Sequence, residues 1–103
     1  MKKVIFISTN VGIFKEISAE LKDFFIFVLA DSVEKAINLL MEENGKTFDC
    51  YVWDNATVPH SSKLGDILGS DDNEYGLNIT RGFNYFSTFT IEDLSRCLKR
   101  IIN

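Results

Sequence analysis

Between Lys3 and Asp54 the chain passes twice from a short β-branched and aromatic run to a stretch of helical spacing, and a third such run closes the series. Lys3 to Ile7 is continuously β-prone rather than alternating, as a strand must be when both faces of a parallel sheet are covered. Asn10 then offers a helix cap, and Phe14, Ile17 and Leu21 recur at three- and four-residue spacing with Lys15, Glu16, Glu20 and Lys22 off the stripe. Phe25 to Leu29 reads as the second strand. Asp31-Ser32-Val33-Glu34 has the form of a capping box, opening a helix with Val33, Ala36, Ile37, Leu40 and Met41 on one face and Gly45 to end it. Phe48 to Trp53 is the third strand, closed by Asp54-Asn55. Strands alternating with helices at this pace call for crossover connections and a parallel sheet.

The second half is less regular. Ala56 to His60 reads as loop and holds the only proline, Pro59. Ser61 to Leu68 predicts a short helix carrying Leu64, Ile67 and Leu68, with Gly65 costing it about 1 kcal/mol relative to alanine. An acidic, turn-rich loop follows over 69–76. Leu77 to Thr80 predicts a short strand, Arg81-Gly82 a turn, and Phe83 to Phe89 a further strand. Thr90-Ile91-Glu92-Asp93 is a second capping-box sequence. It opens a last helix with Ile91, Leu94, Leu98 and Ile101 on one face and Arg96, Lys99 and Arg100 in its later turns, where positive charge suits the helix dipole.

Composition narrows the function classes. The 103 residues fit one domain, 1–103, and 46% hydrophobic with 25% charged residues fits a globular chain, its nine Phe supplying much apolar area. A net charge of −4 argues against a nucleic-acid partner, which needs a basic face. No apolar run approaches the roughly 20 residues of a membrane span, and the start has no signal-peptide form, so a cytoplasmic location is expected. Cys50 and Cys97 have no metal spacing and read as buried free thiols. His60 reads as a surface residue without a partner. Asp71, Asp72 and Glu74 lack the spacing of a calcium loop. No metal or other cofactor is expected.

Four stretches together resemble the receiver domain of two-component response regulators. "KKVIFISTN" is similar to the family's opening "KKILIVDDN", with Ser8 and Thr9 in the slots of its two magnesium-binding acids. Ala30-Asp31-Ser32 running into Ala36-Ile37 resembles the entry to the family's second helix, "A-x-D/N-G-x-E-A-L". "YVWD" puts Asp54 in the slot of the phosphoacceptor aspartate. "NYFSTFTIEDL" resembles "DYLxKPFxxxEL", with Ser87 in the slot of the phosphate-contacting lysine and Thr88 in that of the proline. Thr80 falls near the family's switch Ser/Thr, but six residues separate it from Ser87, too few for the usual intervening helix. Pro59 lies one residue later after Asp54 than the family's pattern has it.

The resemblance implies a receiver/flavodoxin-like α/β domain: a three-layer sandwich around a mainly parallel sheet of about five strands, shortened by about one helix in its second half. It also implies a site emptied of its chemistry, since magnesium prefers anionic oxygen ligands and two hydroxyls replace two carboxylates. The expectation is a non-enzymatic pseudo-receiver acting in signalling by binding another protein. Two alternatives stay open: a divergent phospho-receiver using Asp54, or a small-anion or nucleotide-binding module, since "STNVG" resembles the hydroxyl-rich loop of flavodoxins. With one helix short, Phe83, Tyr85, Phe86 and Phe89 fall on both faces of one strand. Phe86 and Tyr85, beside the last helix, are the expected interface for a homodimer or hetero-complex.

Overall fold

A computed structural model of the chain describes residues 2–42, 48–69, 82–85 and 90–102. Its centre is β1 (Lys2–Ile7), flanked by β2 (Phe25–Ala30) and β3 (Cys50–Asp54), with β4 (Gly82–Tyr85) beyond β3. The order is β2-β1-β3-β4 and every pairing is parallel. β1 takes the middle because Val4, Ile5, Phe6 and Ile7 carry no polar group, and all four are fully buried. Lys2 pairs with Phe25 and Ile7 with Ala30 on one side; Val4 pairs with Cys50 and Ile7 with Trp53 on the other.

Helices cover both faces of this sheet. On one, Ile5, Ile7, Ala30 and Trp53 meet Ala36 and Leu40 of α2 (Val33–Glu42) and Leu64, Ile67 and Leu68 of α3 (Ser62–Gly69). On the other, Val4, Phe6, Phe25 and Val52 meet Ile17 of α1 (Val11–Glu20), Leu21 just past its end, and Leu94 and Leu98 of α4 (Ile91–Ile102). Each of the Val, Leu, Ile and Phe side chains among these contributes about 1.5–3 kcal/mol by leaving water. Phe14 sets its ring edge-on to Phe6, centroids 5.8 Å apart. The result is three layers, with a strand order that matches the flavodoxin-like 2-1-3-4 sequence.

The caps follow the polar side chains that the sequence supplies. Asn10 Oδ1 accepts from Ile13 N–H at 3.1 Å. Thr90 and Asp93 cap α4 reciprocally: Thr90 Oγ1 accepts from Asp93 N–H at 3.1 Å and Asp93 Oδ2 from Thr90 N–H at 3.0 Å. At α2 the cap is Ser32, whose Oγ accepts from Lys35 N–H at 3.0 Å, one residue later than an Asp31–Glu34 box requires. Met41, expected on the buried face, stands 40% exposed, because it lies about 100° round the helix from buried Leu40.

The sheet has four strands among the described residues, not the five or so expected. The expected strand over 77–80, with Thr80, lies outside the described residues, and so does Gly45. The pairing itself is informative. β4 is hydrogen-bonded directly to β3, with Tyr51 opposite Gly82 and Asp54 opposite Tyr85, so no strand lies between them. Among the described residues β4 therefore takes the fourth place in the sheet, beside β3. Gly82 makes the close pairing feasible, because a Cβ there would overlap the ring of Tyr51. Burial of that ring pushes the Tyr51 hydroxyl pKa above its usual value. Cys50 is buried as expected, whereas Cys97 is only half-buried on α4; both are free thiols.

Candidate functional site

The parallel sheet delivers the ends of β1 and β3 side by side, since Ile7 pairs with Trp53 and the next residues are Ser8 and Asp54. In open α/β sheets the carboxyl ends of the strands are where ligands bind. Ser8 and Asp54 are both buried there, with Asp54 only 2% exposed. Ser8 N–H donates to the Ala30 carbonyl at the end of β2, 2.9 Å away, which fixes the residue where β1 stops.

The Asp54 carboxylate accepts from three neutral donors. Ser8 Oγ–H donates to Asp54 Oδ2 at 2.8 Å and Thr57 Oγ1–H to the same oxygen at 2.9 Å. Ala56 N–H donates to Oδ1 at 3.2 Å. The Asp54 backbone carbonyl accepts from Thr57 N–H at 3.2 Å and Val58 N–H at 2.9 Å, so the chain turns tightly around this residue. Hydrogen bonds to a carboxylate are shorter and stronger than neutral ones, and these offset the cost of its burial. Among the described residues no buried side-chain nitrogen or oxygen lacks a partner.

From Asp54 the network runs into the loop before α1. Thr57 Oγ1 also accepts from Thr9 N–H at 3.0 Å, and Ser8 Oγ accepts from Asn10 N–H at 2.9 Å. Asn10 is itself the cap of α1, so a hydrogen-bonded path leads from Asp54 through Ser8 to the first turn of a helix. The other side of the loop is tied by Trp53, whose indole Nε1–H donates to the Val58 carbonyl at 2.9 Å. Its ring lies nearly parallel to that of His60, centroids 6.1 Å apart. His60 is exposed, as expected, but it is not without a partner.

Three of the residues singled out from sequence are therefore brought together: Ser8, Thr9 and Asp54, with Thr9 contributing its backbone and leaving its side chain exposed. Tyr85 is brought beside Asp54 by strand register, and its side chain lies outside the description. Ser87, Thr88, Thr80 and Phe86 lie outside the described residues. Thr57 is the residue that sequence reading missed. The available signal was Asp54-x-x-Thr57 directly after a strand, a spacing that lets a hydroxyl close a turn onto an aspartate.

The donor set is poor for a hard cation. Ser8 and Thr57 present hydroxyls that already donate to Asp54, and among the described residues no three His, Cys, Asp or Glu side chains group together. Asp31, at the tip of β2, is exposed. The arrangement holds a buried carboxylate in one geometry and ties two loops to it. Compared with family models, with curated proteins and with solved structures, the chain matches none of them.

Proposed function

We propose that this chain is a receiver-like domain that has exchanged phosphoryl chemistry for a fixed hydroxyl–carboxylate cluster, and that it acts by binding another protein. One observation carries this reading: Ser8 Oγ, in the slot of a metal-binding acid, donates at 2.8 Å to Asp54 Oδ2, in the slot of the phosphoacceptor. Phosphoryl transfer to an aspartate depends on positioning and on neutralising charge at the phosphoryl oxygens. It also needs a free carboxylate lone pair facing the donor. Here two hydroxyls occupy Oδ2 and the group is buried. To act as a nucleophile through Oδ2, Asp54 must first lose these bonds.

The work left to such a domain is recognition. The network ties the loops at 8–10 and 54–58 to each other without a phosphoryl group. A partner then meets a surface set by the sequence alone. Incubation with acetyl phosphate and magnesium followed by intact-mass measurement tests this. The expected spectrum shows the unmodified mass. A stoichiometric phosphoryl adduct that disappears in Asp54→Asn overturns the proposal and favours the phospho-receiver alternative.

A further inference from the structure

The hydroxyls of Ser8 and Thr57 have one hydrogen each, and both hydrogens go to Asp54 Oδ2, at 2.8 and 2.9 Å. The contact between the two hydroxyl oxygens, at 3.3 Å, therefore has no hydrogen of its own. What remains on each oxygen is lone pairs, and the loop before α1 uses them. Thr9 N–H donates to Thr57 Oγ1 at 3.0 Å and Asn10 N–H to Ser8 Oγ at 2.9 Å. The bonds close a ring: from Asp54 Oδ2 to Ser8, along the backbone to Thr9, across to Thr57 and back to Oδ2. Two of them, Ser8 to Asp54 and Thr9 to Thr57, cross from one loop to the other.

We propose that this ring makes the loops at 8–10 and 54–58 a single opening unit, with Thr57 as the positioning residue that joins them. Ser8 is fully buried and Asp54 nearly so. An opening that parts only these two leaves a buried carboxylate short of a donor, which is costly. The less costly opening releases both loops to water together. Without its Thr57 hydroxyl, the loop at 54–58 would keep its own turn, made by Ala56, Thr57 and Val58 N–H groups on Asp54. It would lose its hold on the Thr9 backbone.

The unit reaches into α1, because Asn10, held through Ser8, caps that helix by accepting from Ile13 N–H. A molecule that holds the 54–58 loop closed thus also protects the first turn of α1. One that grips that turn steadies Asp54 in return, since coupling between two sites is reciprocal. The bonds exist whether or not Asp54 can take a phosphoryl group, so this coupling and the loss of phosphoryl chemistry stand or fall separately.

Native-state amide hydrogen exchange in rising urea tests the coupling. In the wild type, the amides of Thr9, Asn10 and Ala56 are expected to share one opening free energy and one urea dependence, as members of one unit do. Thr57→Val removes the hydroxyl. It is expected to raise exchange at Asn10 and Ala56 at least about fivefold, the effect of about one lost hydrogen bond, although neither amide is bonded to Thr57. Thr57→Ser, which keeps the hydroxyl, is expected to restore both. The Lys35 and Asp93 amides, bonded to the cap hydroxyls of other helices, are expected to stay unchanged. A rise confined to Thr9 overturns the proposal, as does an equal rise at Lys35 and Asp93 or a serine variant that behaves like valine. If the valine variant does not fold, the wild-type urea series decides: separate openings for Thr9, Asn10 and Ala56 overturn the proposal.

Discussion

At the scale of single residues, Ser8 carries more than its size suggests. Its hydroxyl donates to a buried carboxylate and accepts from the Asn10 amide, so it joins β3 to the start of α1. Ser8→Ala is therefore expected to lower the unfolding free energy by about 1–3 kcal/mol, the range for leaving buried polar groups without their partner. Thr9→Ala, one residue along with an exposed side chain, is expected to change it by no more than about 0.5 kcal/mol. Urea unfolding of both variants measures the difference; equal effects would mean that the cluster is not what holds these loops. Asp54 and Ser8 were legible as a pair because their slots at two strand tips are set by the order of elements. Thr57 was not. A threonine in a loop has many uses, and only the folded turn shows that its hydroxyl reaches back to Asp54 at 2.9 Å.

At the scale of elements, α4 depends on its first turn. Thr90 and Asp93 exchange two hydrogen bonds, and Thr90→Ala is expected to cost about 1 kcal/mol. The Thr90 backbone N–H first and the Thr90 side chain second, with a smaller contribution from Arg96, hold the Asp93 pKa below its ordinary 3.8. A carboxyl whose folded pKa is depressed adds stability above its unfolded pKa and loses it as the pH falls through the folded value. The wild type is thus expected to lose stability below pH 3.8 more steeply than Asp93→Asn, and parallel acid limbs in thermal melts would contradict this. The exposed Asp93–Arg96 contact at 3.7 Å adds little by itself. Helix faces and caps were legible because they are local. Even so, the capping-box form pointed to Asp31–Glu34, and Ser32, an equally good cap beside Asp31, took the role. Strand neighbours were not legible. Nothing local to Gly82–Tyr85 says that it lies against β3, because that depends on Tyr51 finding a residue without a side chain opposite it.

At the scale of the whole molecule, the sheet and its two helical layers put the ends of β1 and β3 together, and the proposed function rests on the chemistry at that junction. On the receiver-like reading proposed above, Ser8 and Thr9 stand where a metal would be held, and their hydroxyls do not hold one. Returning acids to both positions is the direct test. Ser8→Asp with Thr9→Asp crowds carboxylates beside Asp54, which destabilises the fold until a cation neutralises them. The melting temperature with magnesium and with chelator reads this out, because a ligand that binds only the folded state raises it. The double variant is expected to melt below the wild type in chelator and to recover with magnesium, while the wild type melts at one temperature in both. A wild-type melting temperature that climbs with magnesium would contradict that reading.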